Sequence, residues 1–209
     1  MSRNVFHEGL KAHFSAGQIK RLASVRVGIA GAGGLGSNVA GHLVRSGIRR
    51  LTFADFDRVA ASNLNRQFYF QDQLGMKKVA ALRDNLRRIN PDLDVEALDL
   101  RLTGDNIRRA FGDCDLIVEA LDRSVDKKMM AERFMADSRP LICVSGIGGW
   151  GDSDRILTRR CGEGLIIIGD GRTEVSAAVP PTSAIVGIAA AKQADMVIEI
   201  LLGANPAAP

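Results

Sequence analysis

Short apolar strands that alternate with helical segments, a glycine-rich turn joining the first such strand to its helix, and a change of texture after Gly146 together predict an α/β fold. The expected architecture is a Rossmann-like, mostly parallel sheet with helices on both faces and an antiparallel extension near the C-terminus. No internal repeat or linker divides the chain, and the A-N-P-A-A-P tail is its only biased tract, so residues 1–209 read as a single domain.

Residues 7–24 read as one or two short helices, within a helical lead-in that spans 1–24. R-V-G-I-A at 26–30 is a short apolar strand, and G-A-G-G-L-G-S at 31–37 turns it into a helix reaching about Ser46. The second strand covers 51–56. Residues 78–89 carry Val79, Leu82, Leu86 and Ile89 at helical spacing, and Asn90-Pro91 stops that helix. A third strand at 95–102, a short helix at 106–111, a fourth strand at 116–121, a helix at 125–136 and a fifth strand at 141–146 complete a core of 25–148. In the remainder, 149–209, a glycine-rich loop (G-I-G-G-W-G-D-S-D, expected to be flexible) leads into a hairpin of 155–160 and 165–168. Pro180-Pro181-Thr182-Ser183 introduces a final helix that Gly203 ends. Lys192, Asp195 and Glu199 form one narrow polar stripe on it, so the helix is either buried within the domain or shared with a second subunit.

The formal charge of +4 comes from scattered Lys and Arg, including pairs such as Arg49-Arg50 and Lys127-Lys128 that suit solvated faces. With few aromatics and no basic tail, nucleic acid is the weaker partner; a polyphosphate or an acidic protein fits better. Cys114, Cys143 and Cys161 form no C-x-x-C pair, which argues against a zinc site or disulfide framework and fits a reducing cytoplasm. The N-terminus has no apolar signal region, and the run 184–202 is interrupted by Lys192, Gln193, Asp195 and Glu199, so no membrane association is expected.

Gly31, Gly33 and Gly36 satisfy G-x-G-x-x-G between a strand and a helix, and Gly34 removes a further Cβ. Such a turn brings backbone N–H groups and a helix N-terminus to an anion, which makes 25–148 a nucleotide-binding core. Asp55, at the end of the second strand, is placed to accept hydrogen bonds from ribose hydroxyls. Asp57 leaves the strand on the same side and either reaches the ribose or caps the next turn. The segment S-N-L-N-R-Q at 62–67 then separates the ligand classes. A nicotinamide gives no reason for an arginine just past the ribose-binding acid, whereas a triphosphate needs its β- and γ-charges neutralised. Arg66 supplies a planar fork, Lys78 a point charge, and Asn63 and Asn65 amide contacts. Asp122 ends the fourth strand, where it either holds Mg²⁺ or caps the helix that begins near Ser124. Glu119, an acid inside a buried strand, is expected to be hydrogen-bonded rather than catalytic. His7, His13 and His42 show no ligand spacing, and Cys161, beside Arg159 and Arg160, is either activated or an ordinary free thiol.

G-A-G-G-L-G-S, A-D-F-D-x-V-x-x-S-N-L-N-R-Q, Lys78 in G-M-K-K-V and the strand-end Asp122 together resemble the ubiquitin-activating-enzyme-like superfamily, over about residues 24–136. The chain looks most similar to the short ThiF-type enzymes of thiamine biosynthesis. The resemblance implies adenylation, with ATP and Mg²⁺, of the C-terminal glycine of a small ubiquitin-like sulfur carrier ending in Gly-Gly (a ThiS-like protein), with release of diphosphate. It implies that Gly34 and Asp55 bind the nucleotide, that Asn63, Arg66 and Lys78 hold the phosphates, and that Asp122 positions Mg²⁺. It also implies a homodimer. Longer relatives carry two C-x-x-C zinc pairs, missing here, so no zinc is expected, and the relatives' N-terminal arginine segment has only Arg3 as its counterpart. Two alternatives stand: a related activator of a molybdopterin carrier or a tRNA-modifying dehydratase, and an NAD-dependent oxidoreductase. The second would leave Arg66 and Lys78 idle and lacks a hydride-transfer acid or base. The carrier's tail is expected to thread to the α-phosphate under the loop around Trp150. That loop should order on carrier binding, and its cleavage by added protease should slow when the carrier is present.

Overall fold

The computed structural model describes residues 4–134, 137–162 and 164–204; Arg3, the expected end of a helix at Ala136 and the tail from 205 lie outside the described residues. In chain order the elements are α1 (Val5–Leu10), α2 (Ala16–Ser24), β1 (Arg26–Ala30), α3 (Gly34–Arg45), β2 (Arg50–Asp55), α4 (Lys78–Arg87) and β3 (Asp94–Asp99). Then follow α5 (Ile107–Ala110), β4 (Leu116–Glu119), α6 (Ser124–Phe134), β5 (Leu141–Val144), β6 (Leu157–Cys161), β7 (Leu165–Gly169) and α7 (Ser183–Leu202).

One seven-stranded sheet holds them in the order β3-β2-β1-β4-β5-β7-β6. All neighbours are parallel except β6 and β7. The expected antiparallel extension is therefore present at the edge, although β7 itself joins β5 in parallel. The strand expected over 95–102 stops at Asp99, opposite Asp55, because β2 ends there and offers no further partner. Single 3-10 turns at Ala61–Asn63, Gln71–Gln73 and Ser153–Arg155 were not expected.

The central strands send alternate side chains to two apolar layers. Val27 and Ile29 of β1, with Leu116 and Val118 of β4, pack into a large cluster with Leu22 of α2, Val39 and Leu43 of α3, Leu82 and Leu86 of α4, and Ala189 and Val197 of α7. On the other face Ile117 meets Ile107, Phe111, Met130 and Phe134 from α5, α6 and their flanks. Gly28 makes room for that layer, since a Cβ there would lie 2.9 Å from the Phe111 ring. The final helix is buried within the fold, mainly against α3. Its polar stripe is tied to the hairpin: Lys192 donates to the Ile156 carbonyl, and Glu199 pairs with Arg160 at 2.6 Å. Among the described residues no helix is long and apolar enough to cross a membrane.

The β1–α3 turn is the tightest point. Gly31 has φ +101°, and a Cβ there would meet the Ala120 carbonyl oxygen at 2.7 Å. A Cβ on Gly36 would sit 1.9 Å from the Gly31 carbonyl oxygen. Gly36→Ala should therefore cost about 2 kcal/mol or more. Gly187→Ala, inside α7 with open space around it, should instead gain about 0.5–1 kcal/mol. Urea unfolding of the two variants checks both signs.

Candidate active site

Parallel register brings the ends of three strands level. Ala30 lies opposite Ala54 on one side and Glu119 on the other, so the glycine turn, Asp55 and the 120–122 segment leave the same sheet edge. The order changes direction between β1 and β4, which opens a crevice of the kind where parallel α/β sheets take ligands. Gly31 and Gly33 lead into α3, and the helix starts without a side-chain cap. Its first N–H groups therefore face the crevice free of internal competition.

Asp55 is anchored before any ligand arrives. One oxygen accepts the Ala32 N–H at 2.7 Å and the other the Asp57 N–H at 2.8 Å, which leaves further lone pairs for hydroxyl donors. The Asp57 carboxylate pairs with the Lys78 ammonium at 2.8 Å, which ties the end of β2 to the start of α4. Lys78 is 5% exposed and opens α4. Burying that ammonium requires a counter-charge, and Asp57 supplies it.

The 60–70 segment is fastened to α3 and to the glycine turn rather than lying loose. Asn38 Nδ2 donates to the Arg66 carbonyl at 2.8 Å, the Phe68 N–H donates to Ser37 Oγ at 3.0 Å, and Tyr69 Oη donates to the Ala32 carbonyl at 2.7 Å. The stem of Arg66 thereby passes over Gly34, where an added Cβ would come within 3.5 Å of Arg66 Cγ. Its guanidinium donates to the Ser62 carbonyl at 3.1 Å and to Asn65 Oδ1 at 2.7 Å. Asn63 uses its side-chain oxygen to accept the Ala60 N–H at 2.9 Å, closing its own 3-10 turn. The Gln67 side chain approaches Gly33, and its buried oxygen has no hydrogen-bond partner among the described residues. Ser37, Asn38 and Tyr69 carried no recognisable signal, since each acts through bonds to backbone groups distant in sequence.

Across the crevice, Asp122 is exposed, and its carboxylate makes no hydrogen bond among the described residues; it does not cap α6. Glu119 is hydrogen-bonded as expected, and its partners include Lys127. Among the described residues no three His, Cys, Asp or Glu side chains gather into a metal site. Cys161 is exposed on β6, while its arginine neighbours point elsewhere, Arg159 to the Gly169 carbonyl and Arg160 to Glu199. Burial first, then Glu119, pushes the Cys143 thiol up to about 12. The Trp150 loop is pinned at its base: Gly148 and Gly149 donate to the carbonyls of Thr173 and Pro180, and Arg155 bridges the Gly148 carbonyl and Asp170. Trp150 itself is 70% exposed.

Residues 7–209 match the ThiF family model. The chain is 31% identical over 182 residues to the ubiquitin-like modifier-activating enzyme 5 of Caenorhabditis elegans, covering 82% of this chain and 41% of that protein. It is 34% identical over 143 residues to the sulfur carrier protein ThiS adenylyltransferase of Escherichia coli (strain K12), covering 68% and 56%. The chain thus spans about half, or less, of the curated relatives it matches. The solved structure of the E. coli tRNA N6-threonylcarbamoyladenosine dehydratase in complex with ATP aligns with a TM-score of 0.84 over 93% of both chains. At 20% identity that likeness is one of fold.

Tyr69 is the chain's single tyrosine and joins the glycine turn to α4. Burial, and then the charges of Asp55 and Asp57, push its phenol far above the usual range. The folded protein should show no tyrosinate absorbance near pH 10, where a free phenol ionises. Because the unfolded chain loses that proton first, the stability tied to Tyr69 is present below about pH 10 and is lost as pH rises further. Absorbance and urea midpoints across an alkaline titration check both statements.

Proposed function

Because this chain belongs to the ThiF family, within the ubiquitin-activating-enzyme-like superfamily, we propose that it is an ATP- and Mg²⁺-dependent adenylyltransferase. Its acceptor in this reading is the C-terminal glycine carboxylate of a small ThiS-like sulfur carrier, in the thiazole branch of thiamine biosynthesis. The observation that carries the reading is Arg66 crossing Gly34 at the uncapped start of α3, opposite an Asp122 carboxylate that has no partner among the described residues. A cation, a helix N-terminus and a free acid on facing lips suit a triphosphate better than a dinucleotide.

Asp55 would receive the ribose hydroxyls, and the α3 N–H groups the phosphates. Arg66 and Lys78 would take up the negative charge that gathers on the departing diphosphate. Lys78 can do so while paired, since an ammonium has three donors and Asp57 occupies one. Asn63 and Asn65, whose side-chain oxygens are already used, have amide N–H groups left to offer. The donor set also suits Mg²⁺, which takes one or two carboxylates together with phosphate oxygens, and Asp122 would hold it. When bound there, the ion would supply further neutralisation of phosphate charge.

The carrier's carboxylate is ionised at neutral pH and needs no general base. One of its oxygens attacks the α-phosphorus in line, the bond to the β-phosphate oxygen breaks, and diphosphate leaves behind an acyl adenylate. The chain's part is alignment and charge. The reading includes a homodimer, which sedimentation of the purified chain would detect.

ATP–diphosphate exchange should appear only with a Gly-Gly-tailed carrier. Arg66→Ala and Asp122→Ala should each lower it about a hundredfold or more. No exchange with the carrier, together with tight NAD binding, would overturn the reading; exchange driven by tRNA in place of the carrier would reassign the acceptor.

A further inference from the structure

Just before Asp122 in sequence lies a buried charge that adenylation does not use. Glu119, the last residue of β4, is 1% exposed. Its carboxylate accepts the Leu121 N–H at 2.7 Å, the Val144 N–H at 3.4 Å, and the Lys127 ammonium at 2.9 and 3.0 Å. The same ammonium donates to the Val144 carbonyl at 3.0 Å. Gln193 of α7 donates to the carbonyls of Glu119 and Ile142, at 2.8 and 3.2 Å.

Stability alone does not account for such a cluster. A buried ion pair recovers little beyond its desolvation cost, and a well-packed apolar pair often does as well. What it controls is the backbone. Ala120 is held by its N–H on the Ala30 carbonyl at 2.9 Å, and Leu121 by Glu119. Lys127, in the first turn of α6, ties the far end of the same short connection back to β4 and β5. Asp122 is exposed and follows the first of these anchors directly.

We propose that Glu119, clamped by Lys127, is a positioning residue that fixes the Asp122 carboxylate on its lip of the crevice. This rests on the reading of Asp122 as the residue that holds Mg²⁺. Groups that orient a ligating carboxylate commonly set metal affinity about 10- to 100-fold, although they never touch the metal.

The test uses the whole chain with a non-hydrolysable ATP analogue and Mn²⁺ as the paramagnetic probe. Glu119→Leu/Lys127→Met removes the charges together, so the fold should be retained, with a thermal midpoint near the parent's. Its Mn²⁺ dissociation constant should rise about tenfold or more, and hydrogen exchange at the Leu121 amide should quicken about tenfold or more. Should that variant fail to fold, Glu119→Gln carries the same expectations, because its N–H₂ group would face the Lys127 and Val144 donors. Asp122→Asn should weaken Mn²⁺ binding while leaving Leu121 exchange at the parental rate. A folded Glu119 variant with parental Mn²⁺ affinity, or with parental Leu121 exchange, overturns the positioning role. Parental Mn²⁺ affinity in Asp122→Asn overturns instead the metal assignment on which the role rests.

Discussion

The close approach of backbone to backbone at the β1–α3 turn decides where everything else in the crevice can stand. Gly36 rests on the Gly31 carbonyl, and Gly31 in turn rests on the Ala120 carbonyl, with no space for a methyl group at either contact. Three elements are thereby locked at one point: the end of β1, the start of α3 and the exit of β4. A surface made of N–H groups and bare Cα atoms follows from the packing itself. The groups that line it then take their positions from that fixed backbone. Asp55 hangs on the Ala32 N–H, Tyr69 on the Ala32 carbonyl, and the segment carrying Arg66 on Ser37 and Asn38.

The charged groups differ in how far they are neutralised beforehand. Lys78 is buried, and Asp57 supplies its counter-charge. Arg66 is only half-buried, and neutral acceptors, a carbonyl and an amide, hold its guanidinium. In the proposed reading its full charge is left to attract a phosphate. Asp122 has no partner among the described residues. The crevice thus keeps one cation in a neutral pair, another charged but oriented, and an acid unpaired. Such a gradient suits a ligand that brings several negative charges together with a metal ion, and the net charge of +4 adds a favourable long-range field.

The strands of the core were legible because each is a short apolar run bounded by polar turns, and R-V-G-I-A falls on Arg26–Ala30 without adjustment. The antiparallel pairing of β6 with β7 was legible from the hairpin. The parallel docking of β7 on β5 was not, because local pattern fixes which strands pair through a turn and says nothing about which edge they join. Within the site, residue types that respond to charge stood out: Asp55, Arg66, Lys78 and Asp122. Their resting partners stayed hidden. Nothing in the spacing of Asp57 and Lys78 reveals an ion pair across the connection, and Gln193 read as an interruption of an apolar helix although it is fully buried on two strand carbonyls.

The two lips of the crevice are consequently built by different physics. On the glycine side, position is enforced by steric exclusion: hard contacts leave the backbone a single arrangement, which is insensitive to salt and pH. On the Asp122 side, position is enforced by a saturated carboxylate, an ammonium and a carboxamide that bridge β4, β5, α6 and α7. A hard lip is appropriate for phosphate and ribose groups common to many nucleotides, because the distances they require do not vary with the acceptor. A lip held by directional bonds can be shifted by small changes in one side chain while the fold stays intact. In the proposed reading, changes in metal affinity or acceptor geometry should therefore be far more accessible to substitution around Glu119 and Lys127 than around Gly31 and Gly36, where the first added atom disrupts the turn.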